Sequence, residues 1–232
     1  ALPSIASHCG FTGFHTQKLT WGSAYNYDEL PAFGKWKGID GSEIYCILKP
    51  GAYDKTFNEN LSFSTGMYSD IKDNESKYGL KANFRYTGKM GDRGGALSEE
   101  NAEWREKSIN GKGPARVQLV SPTEAFEYMK AHDNGQYKTV NHELPMRTHG
   151  VGCYTSQTMM KYWNRRNELM GDAAERSSLI ADWIGAINYP KNTLTEAWKR
   201  VILHQFHDDL PGTSIPKAYY YSHNDELLSL QD

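Results

Sequence analysis

The side chains best suited to chemistry lie together in HQFHDDLPGT, residues 204–213. Two histidines and two aspartates, His204, His207, Asp208 and Asp209, fall within six consecutive positions at the end of a predicted helix. Imidazole nitrogens and carboxylate oxygens are zinc ligands, so His207 could bind a metal together with carboxylates from elsewhere. A carboxylate at the carboxyl end of a helix costs about 0.3–1 kcal/mol against the helix dipole, which a cation, an arginine or a hydrogen-bonding ligand would offset. The other interpretation is a plain helix terminus, in which His204 caps carbonyl groups and the aspartates are solvated turn formers.

A glycine-rich segment, YTGKMGDRGGALSEE at residues 86–100, is the second candidate for chemistry. It follows a predicted strand and holds Asp92 among four glycines, which allow a ligand to approach the backbone closely. An aspartate in a loop after a barrel strand is placed to act as a general acid or base. The segment contains no GKS, GKT or GxGxxG, so a phosphate-binding loop is not supported, and a plain flexible turn is the other interpretation.

A third segment, ELPMRTHGVGCYTS, carries four polar or aromatic side chains ahead of a predicted helix: Glu143, Arg147, His149 and Tyr154. These side chains could line a pocket. Alternatively, the segment serves only the helix that follows, with Thr155 and Ser156 as its caps. The local pattern leaves both interpretations open.

Short strands and helices alternate up to about Leu144, and they must position the first two segments. The strand candidates are residues 11–17, 43–48, 82–86 and 116–120, and the helix candidates are residues 99–107 and 122–131. The second helix has a clear start, with Ser121 at the cap, Pro122 at the first helical position and Glu124 completing a capping box. This succession is typical of an α/β layer or barrel, whose chemistry lies at the carboxyl ends of the strands.

From about Tyr154 the pattern is helical only. Helices are predicted at residues 155–170, 173–187, 195–206 and 217–230, with NYPKN at residues 188–192 as the clearest break. The third is expected to begin on a capping box of Thr193 and Glu196. It is also expected to bury one apolar stripe, formed by Leu194, Ala197, Trp198, Val201 and Ile202. The pattern indicates a helical hairpin or small bundle.

Composition excludes several functions. The net charge is −2 with lysines and arginines scattered singly, so no nucleic acid partner is expected. The apolar runs are too short to cross a bilayer, and no amino-terminal charged-then-apolar leader is present. We therefore expect a soluble chain without a membrane partner. Three cysteines without a CxxC pair indicate neither a disulfide framework nor a cysteine zinc site. The compartment, whether cytoplasmic, periplasmic or secreted, and assembly into a homo-oligomer stay open.

Five stretches, in this order, resemble glycoside hydrolase family 38, the zinc-dependent α-mannosidases. They are LPSIASHCGFTGFHTQKLTW, WKGIDGSEI, GDRGGA, THGVGCYTSQTMMKYWNRRNELMGDAAE and HQFHDDLPGT, and together they span essentially the whole chain. The last stretch is the most specific, because the family carries a histidine, an aspartate and a glycine-threonine pair at this spacing ahead of its closing helix.

The resemblance implies an α/β fold in two parts. Residues 1–145 are expected to form the later part of a seven-stranded-type α/β barrel, and residues 146–232 a helical middle domain resembling a three-helix bundle. It also implies that an early His-x-Asp zinc motif and the nucleophilic aspartate precede Ala1, and that large β domains follow Asp232. The chain is therefore expected to be a fragment and to be inactive by itself.

The resemblance also assigns roles. His207 looks like the zinc ligand that the middle domain contributes, Asp208 like a neighbouring substrate-binding carboxylate, and Asp92 like the general acid and base. Four further residues are substrate-binding candidates: Trp21, Trp36, Asp40 and Tyr154. In a retaining glycosidase two carboxyl groups about 5 to 5.5 Å apart flank the scissile bond, and Asp92 would protonate the leaving oxygen.

Three functions are therefore considered. The first is part of a retaining zinc-dependent exo-α-mannosidase that hydrolyses mannose-containing glycans. The second is a non-catalytic carbohydrate-binding or assembly module on the same scaffold. The third, independent of the resemblance, is an unrelated metal hydrolase built on the two histidines and two aspartates of residues 204–209.

Overall fold

The computed structural model describes residues 1–19, 27–86, 96–146 and 150–231. The chain divides into two compact units, Ala1–His149 and Gly150–Asp232. This boundary falls close to the one predicted between residues 145 and 146. The prediction of a mixed α/β chain is confirmed, because the described residues hold seven α-helices and a four-stranded sheet.

The sheet of the first unit contains four strands: β1 (Gly13–His15), β2 (Phe33–Lys37), β3 (Glu43–Ile47) and β4 (Lys138–Val140). Their order is β1-β3-β2-β4. Strands β2 and β3 form an antiparallel pair in which Lys35 lies opposite Tyr45, whereas β1 runs parallel to β3 and β4 parallel to β2. The sheet is therefore mixed, with β1 and β4 as its outer strands among the described residues.

Two of the four predicted strands are confirmed and two are wrong. Strands β1 and β3 lie within the predicted ranges, but residues 82–86 and 116–120 are not strands. The main-chain carbonyl of Ala82 accepts a hydrogen bond from the side chain of Asn74, so a side chain satisfies the backbone where a ladder partner was expected. Strand β2 was missed because Gly34 and two lysines interrupt its apolar run.

The helices of the first unit are α1 (Leu2–His8), α2 (Thr65–Tyr78), α3 (Glu99–Ile109) and α4 (Pro122–Ala131), with a 3-10 turn at Tyr27–Glu29. The capping box of α4 is confirmed. Ser121 Oγ accepts from the Glu124 main-chain nitrogen at 3.2 Å, and Glu124 Oε2 accepts from the Ser121 main-chain nitrogen at 2.6 Å. Helix α2 was missed because most of its side chains are polar, which leaves a weak apolar stripe.

Apolar residues cover both faces of the sheet. On one face, Phe33 and Ile47 pack with Phe126 and Met129 of α4. On the other face, a second cluster contains Trp36, Ile44, Cys46, Leu48 and Val140. Burial on both faces is expected of a sheet inside an α/β fold, and it explains why β3 has a nearly continuous apolar run.

The second unit contains α5 (Thr158–Trp183), α6 (Lys191–His204) and α7 (Pro216–Gln231), and each helix contacts the other two. The two helices predicted at residues 155–170 and 173–187 are one continuous helix, α5. Gly171 does not break it, because this glycine gives room to α6: a Cβ at position 171 would lie 2.7 Å from the indole of Trp198. A packing contact thus explains a glycine that looked like a boundary.

Two details predicted for α6 are wrong. The capping box of Thr193 and Glu196 does not form, since α6 begins at Lys191, directly after Pro190, and Thr193 is already its third residue. The apolar stripe holds at Leu194 and Val201, which are buried, but Ile202 is 63% exposed. Within the described ranges, no helix combines the length and apolar character needed to cross a bilayer.

Candidate functional site

The turn that follows α6 separates its four candidate ligands into two environments. The side chains of His204 and Asp209 are only 7% and 11% exposed. Those of His207 and Asp208 are 79% and 50% exposed. The inner pair therefore belongs to the interior of the helical unit, and only the outer pair is accessible to a ligand.

The inner pair is part of a buried polar network. His204, the last residue of α6, contacts Asp209 Oδ2 through Nδ1 at 2.5 Å and Asp225 Oδ2 of α7 through Nε2 at 3.2 Å. Ser222 Oγ donates to the same Asp209 oxygen at 2.8 Å. Each ring nitrogen of His204 therefore has a carboxylate oxygen within hydrogen-bond distance.

This geometry corrects two expectations for His204. Its ring contacts carboxylates rather than capping helix carbonyls, and both of its nitrogens are occupied, which leaves none to bind a metal. The hypothesis of a metal hydrolase whose four ligands are His204, His207, Asp208 and Asp209 is therefore wrong, because these side chains do not form one site. Across the part of the chain that the structure describes, no three His, Cys, Asp or Glu side chains are grouped to hold a metal ion.

The outer pair occupies one side of the turn. His207 Nε2 lies 3.5 Å from Asp208 Oδ2, and Thr213 Oγ1 donates to Asp208 Oδ1 at 3.0 Å. The ring of Phe206 lies against that of His207, with centroids 4.3 Å apart. An accessible imidazole beside a carboxylate is the right chemistry for part of a zinc site, and it fits one or two of the four ligands that zinc needs.

Glu226 of α7 is another buried polar group of the helical unit. Asn167 of α5 donates to its Oε2 and also to its main-chain oxygen, the latter at 2.9 Å. Oε1 is buried without a hydrogen-bond partner. Burial raises the pKa of Glu226, and the Asn167 hydrogen bond opposes this only partly. The carboxyl group is therefore easier to protonate than an ordinary glutamate.

Asp40, a candidate for substrate binding, ties α1 to the β2–β3 turn. Its Oδ1 accepts from Ser42 Oγ at 2.6 Å and from Ser4 Oγ at 2.7 Å, and its Oδ2 lies 2.9 Å from His8 Nε2. These hydrogen bonds, that of Ser42 foremost, hold the pKa of Asp40 far below its usual range. The structure thus shows an internal use for this carboxylate, and its role toward substrate stays a prediction.

The other substrate-binding candidates differ in placement. Trp36 is 4% exposed, and its Nε1 donates to the main-chain oxygen of His142 at 2.9 Å, so its indole serves the core. Tyr154 is 92% exposed, which leaves its ring faces open. Trp21 and Asp92 lie outside the described residues. The structure brings His207 and Asp208 together, and the roles of all these residues stay predictions.

Four residues that the sequence pattern did not single out support the turn: Lys161, Tyr219, Ser222 and Asp225. Three of them recur on α7 at intervals of three, which places them on one face of that helix. Polar residues at core spacing are the signal that could have revealed them.

Comparison with known proteins gives consistent matches. The family described as "Alpha mannosidase middle domain" matches residues 149–227. The curated "Alpha-mannosidase 2C1" of Mus musculus is 30% identical over 244 residues, covering 98% of this chain and 22% of the relative. The "Alpha-mannosidase" of Saccharomyces cerevisiae is 29% identical over 233 residues, covering 95% of this chain and 20% of the relative. The chain thus spans about a fifth of the length of these relatives.

Two solved structures from Enterococcus faecalis share the fold. A protein in the glycosyl hydrolase family 38 superposes with a TM-score of 0.54 at 13% identity, covering 99% of this chain and 24% of the other. An α-mannosidase from strain V583 superposes with a TM-score of 0.56 at 15% identity, covering 99% of this chain and 26% of the other.

Proposed function

As a member of glycoside hydrolase family 38, this chain is, we propose, the part of a longer retaining α-mannosidase that supplies one zinc ligand and one substrate-binding carboxylate. The zinc ligand is His207 and the carboxylate is Asp208. The observation that carries the proposal is their exposure side by side on the turn after α6, inside the range that matches the family. The substrates proposed are α-mannosides of glycans.

The residues of the turn fit zinc as a partial set. His207 offers an accessible imidazole, and the neighbouring Asp208 offers carboxylate oxygens that can accept hydrogen bonds from sugar hydroxyls. Zinc, when bound, would polarise substrate oxygens and stabilise developing charge. The remaining ligands are proposed to come from the early His-x-Asp motif and the nucleophile of the full-length protein.

The chemical step needs a proton donor, and Asp92 is proposed for it from the family resemblance. As general acid it would protonate the leaving oxygen, and as general base it would then activate water. The nucleophilic carboxylate is proposed to lie in another part of the full-length protein. Because one imidazole and one carboxylate hold zinc only weakly, this chain by itself is proposed to be inactive.

Substrate contacts beyond Asp208 are proposed at aromatic side chains. Tyr154 is the described candidate with an open ring face, and a flat ring can stack on the apolar face of a sugar. Trp21 is retained from the resemblance. Trp36 and Asp40 are weaker candidates, since both already have partners within the fold.

We also propose the finer architecture of the family for this chain. The first unit would be the later part of a seven-stranded α/β barrel, and the second a three-helix middle domain. The apolar cover on both faces of the sheet and the pairwise contacts of α5, α6 and α7 support this proposal.

The test is metal content and turnover of the full-length protein, assayed on an aryl α-mannoside. His207→Ala is expected to lower zinc occupancy and turnover together. His132→Ala, which removes an imidazole stacked on Tyr128 in the first unit, serves as the control. Unchanged zinc content in His207→Ala would refute the ligand assignment. Binding of mannoside by the wild-type protein without turnover would favour the non-catalytic carbohydrate-binding module.

A further inference from the structure

The backbone of the turn that carries His207 and Asp208 is attached to all three helices of its unit. The attachments are made by five side chains, here called the inner clamp: Lys161, His204, Asp209, Tyr219 and Ser222. None of their hydrogen bonds uses the side chain of His207 or Asp208, so the clamp and the exposed pair are chemically separate.

Tyr219 provides the attachment closest to the exposed pair. This residue of α7 is buried, and its hydroxyl oxygen lies 3.1 Å from the carbonyl oxygen of Asp208 and 3.2 Å from that of Asp209. It also accepts from the Ser214 main-chain nitrogen at 3.0 Å. One phenol therefore fixes the backbone of the two residues that directly follow His207.

Lys161 attaches the turn to α5. Its Nζ donates to the main-chain oxygen of Leu210 at 2.7 Å and to that of Ser156. Ser156 Oγ in turn donates to the main-chain oxygen of Gly212 at 3.2 Å. A lysine that binds carbonyl oxygens rather than a carboxylate is used here to join two pieces of backbone.

His204 and Ser222 complete the clamp from α6 and α7. Both bind the same carboxylate oxygen of Asp209, so the turn is held at a residue adjacent to Asp208. By contrast, the exposed contact between His207 and Asp208 spans 3.5 Å. Exposed ion pairs contribute little, so the buried clamp rather than that pair sets the position of the turn.

We infer that the inner clamp positions the exposed pair, with Lys161 and Tyr219 as positioning residues for the zinc ligand His207. The inference rests on the proposed function and adds to it the residues that orient the imidazole of His207. Residues that orient metal ligands typically change metal affinity by about 10- to 100-fold when they are replaced.

The test compares two hydroxyl deletions on α7 in the full-length protein. Tyr219→Phe removes the clamp hydroxyl. Ser229→Ala removes a hydroxyl that donates to the main-chain oxygen of Ala197 at 3.0 Å, far along the same helix, and controls for loss of one buried hydrogen bond. Zinc affinity is measured by chelator competition, alongside kcat and KM for an aryl α-mannoside and the thermal midpoint.

Tyr219→Phe is expected to weaken zinc binding by about 10-fold and to lower kcat more than it raises KM. Ser229→Ala is expected to change zinc affinity by no more than about twofold. If both variants weaken zinc binding equally, or if neither does, the clamp serves folding alone and the inference is overturned. Should Tyr219→Phe fail to fold, Lys161→Met, which keeps the aliphatic stem, must show the same loss of zinc affinity.

His207→Ala in the same assay separates the two proposals. If it retains zinc, the proposed function fails and the inference fails with it. If it loses zinc while Tyr219→Phe and Lys161→Met bind zinc as the wild type does, only the clamp is refuted.

Discussion

Replacing Gly171 with alanine should destabilise the contact between α5 and α6, although alanine is the better helix former. Helix propensity alone would favour the substitution by about 1 kcal/mol. The added Cβ, however, would lie 2.7, 3.0 and 3.1 Å from three atoms of the Trp198 indole. That ring cannot withdraw freely, because its Nε1 donates to Glu175 Oε1 of α5 at 2.7 Å.

The magnitude follows from these opposing contributions. Overpacking of this kind costs about 1–3 kcal/mol, and straining the indole hydrogen bond costs about 1 kcal/mol more. After the propensity gain of about 1 kcal/mol is subtracted, we expect a net loss of about 1–3 kcal/mol.

Hydrogen exchange of the full-length protein measures this loss locally. A loss of about 1.4 kcal/mol speeds exchange of the α5 and α6 amides about tenfold. In a Trp198→Phe background, where the smaller ring makes room, Gly171→Ala should instead slow exchange. Slower exchange of the single Gly171→Ala variant would refute the packing argument.

Three further predictions concern single contacts. Ser121→Ala removes the cap of α4 and should cost about 1 kcal/mol, seen as faster exchange in its first turn, and unchanged exchange would contradict the cap. Asp40→Ala should speed exchange across α1 more than Ser42→Ala does, because the carboxylate also binds Ser4 and His8, and equal effects would refute this. The pKa of Glu226 in the folded state is raised above its ordinary 4.5, so the folded state holds this proton more tightly than the unfolded state does. The helical unit should therefore lose stability as pH rises through that raised pKa. Glu226→Gln should abolish this loss, measured as α7 protection corrected for intrinsic exchange, and an unchanged pH dependence would refute it.

Local signals in the sequence were reliable where the chain satisfies its own backbone. The capping box at Ser121 and Glu124 places the start of α4 correctly, since both of its hydrogen bonds join residues three apart. The strand at residues 43–48 is also readable, because a nearly continuous apolar run needs cover on both faces.

Signals that depend on distant residues were not readable. The two helices predicted at residues 155–170 and 173–187 left Gly171 between them, and the contact with Trp198 of another helix explains why this position is a glycine. His204 was considered as a metal ligand because the sequence does not reveal that its second carboxylate partner is Asp225. That residue lies 21 positions away along the chain. The segment at residues 82–86 has strand-like composition, yet the structure supplies it with the Asn74 side chain instead of a neighbouring strand.

The unbroken course of α5 links two places that share no contact. Lys161 and Gly171 lie ten residues apart on one rigid rod, about 15 Å along its axis. A small rotation of α5 at its contact with Trp198 would therefore also move Lys161, whose Nζ donates to the main-chain oxygen of Leu210. If the inner clamp positions the turn as we infer, the alignment of the imidazole at position 207 is expected to depend on how closely α5 and α6 approach each other nearly three turns away.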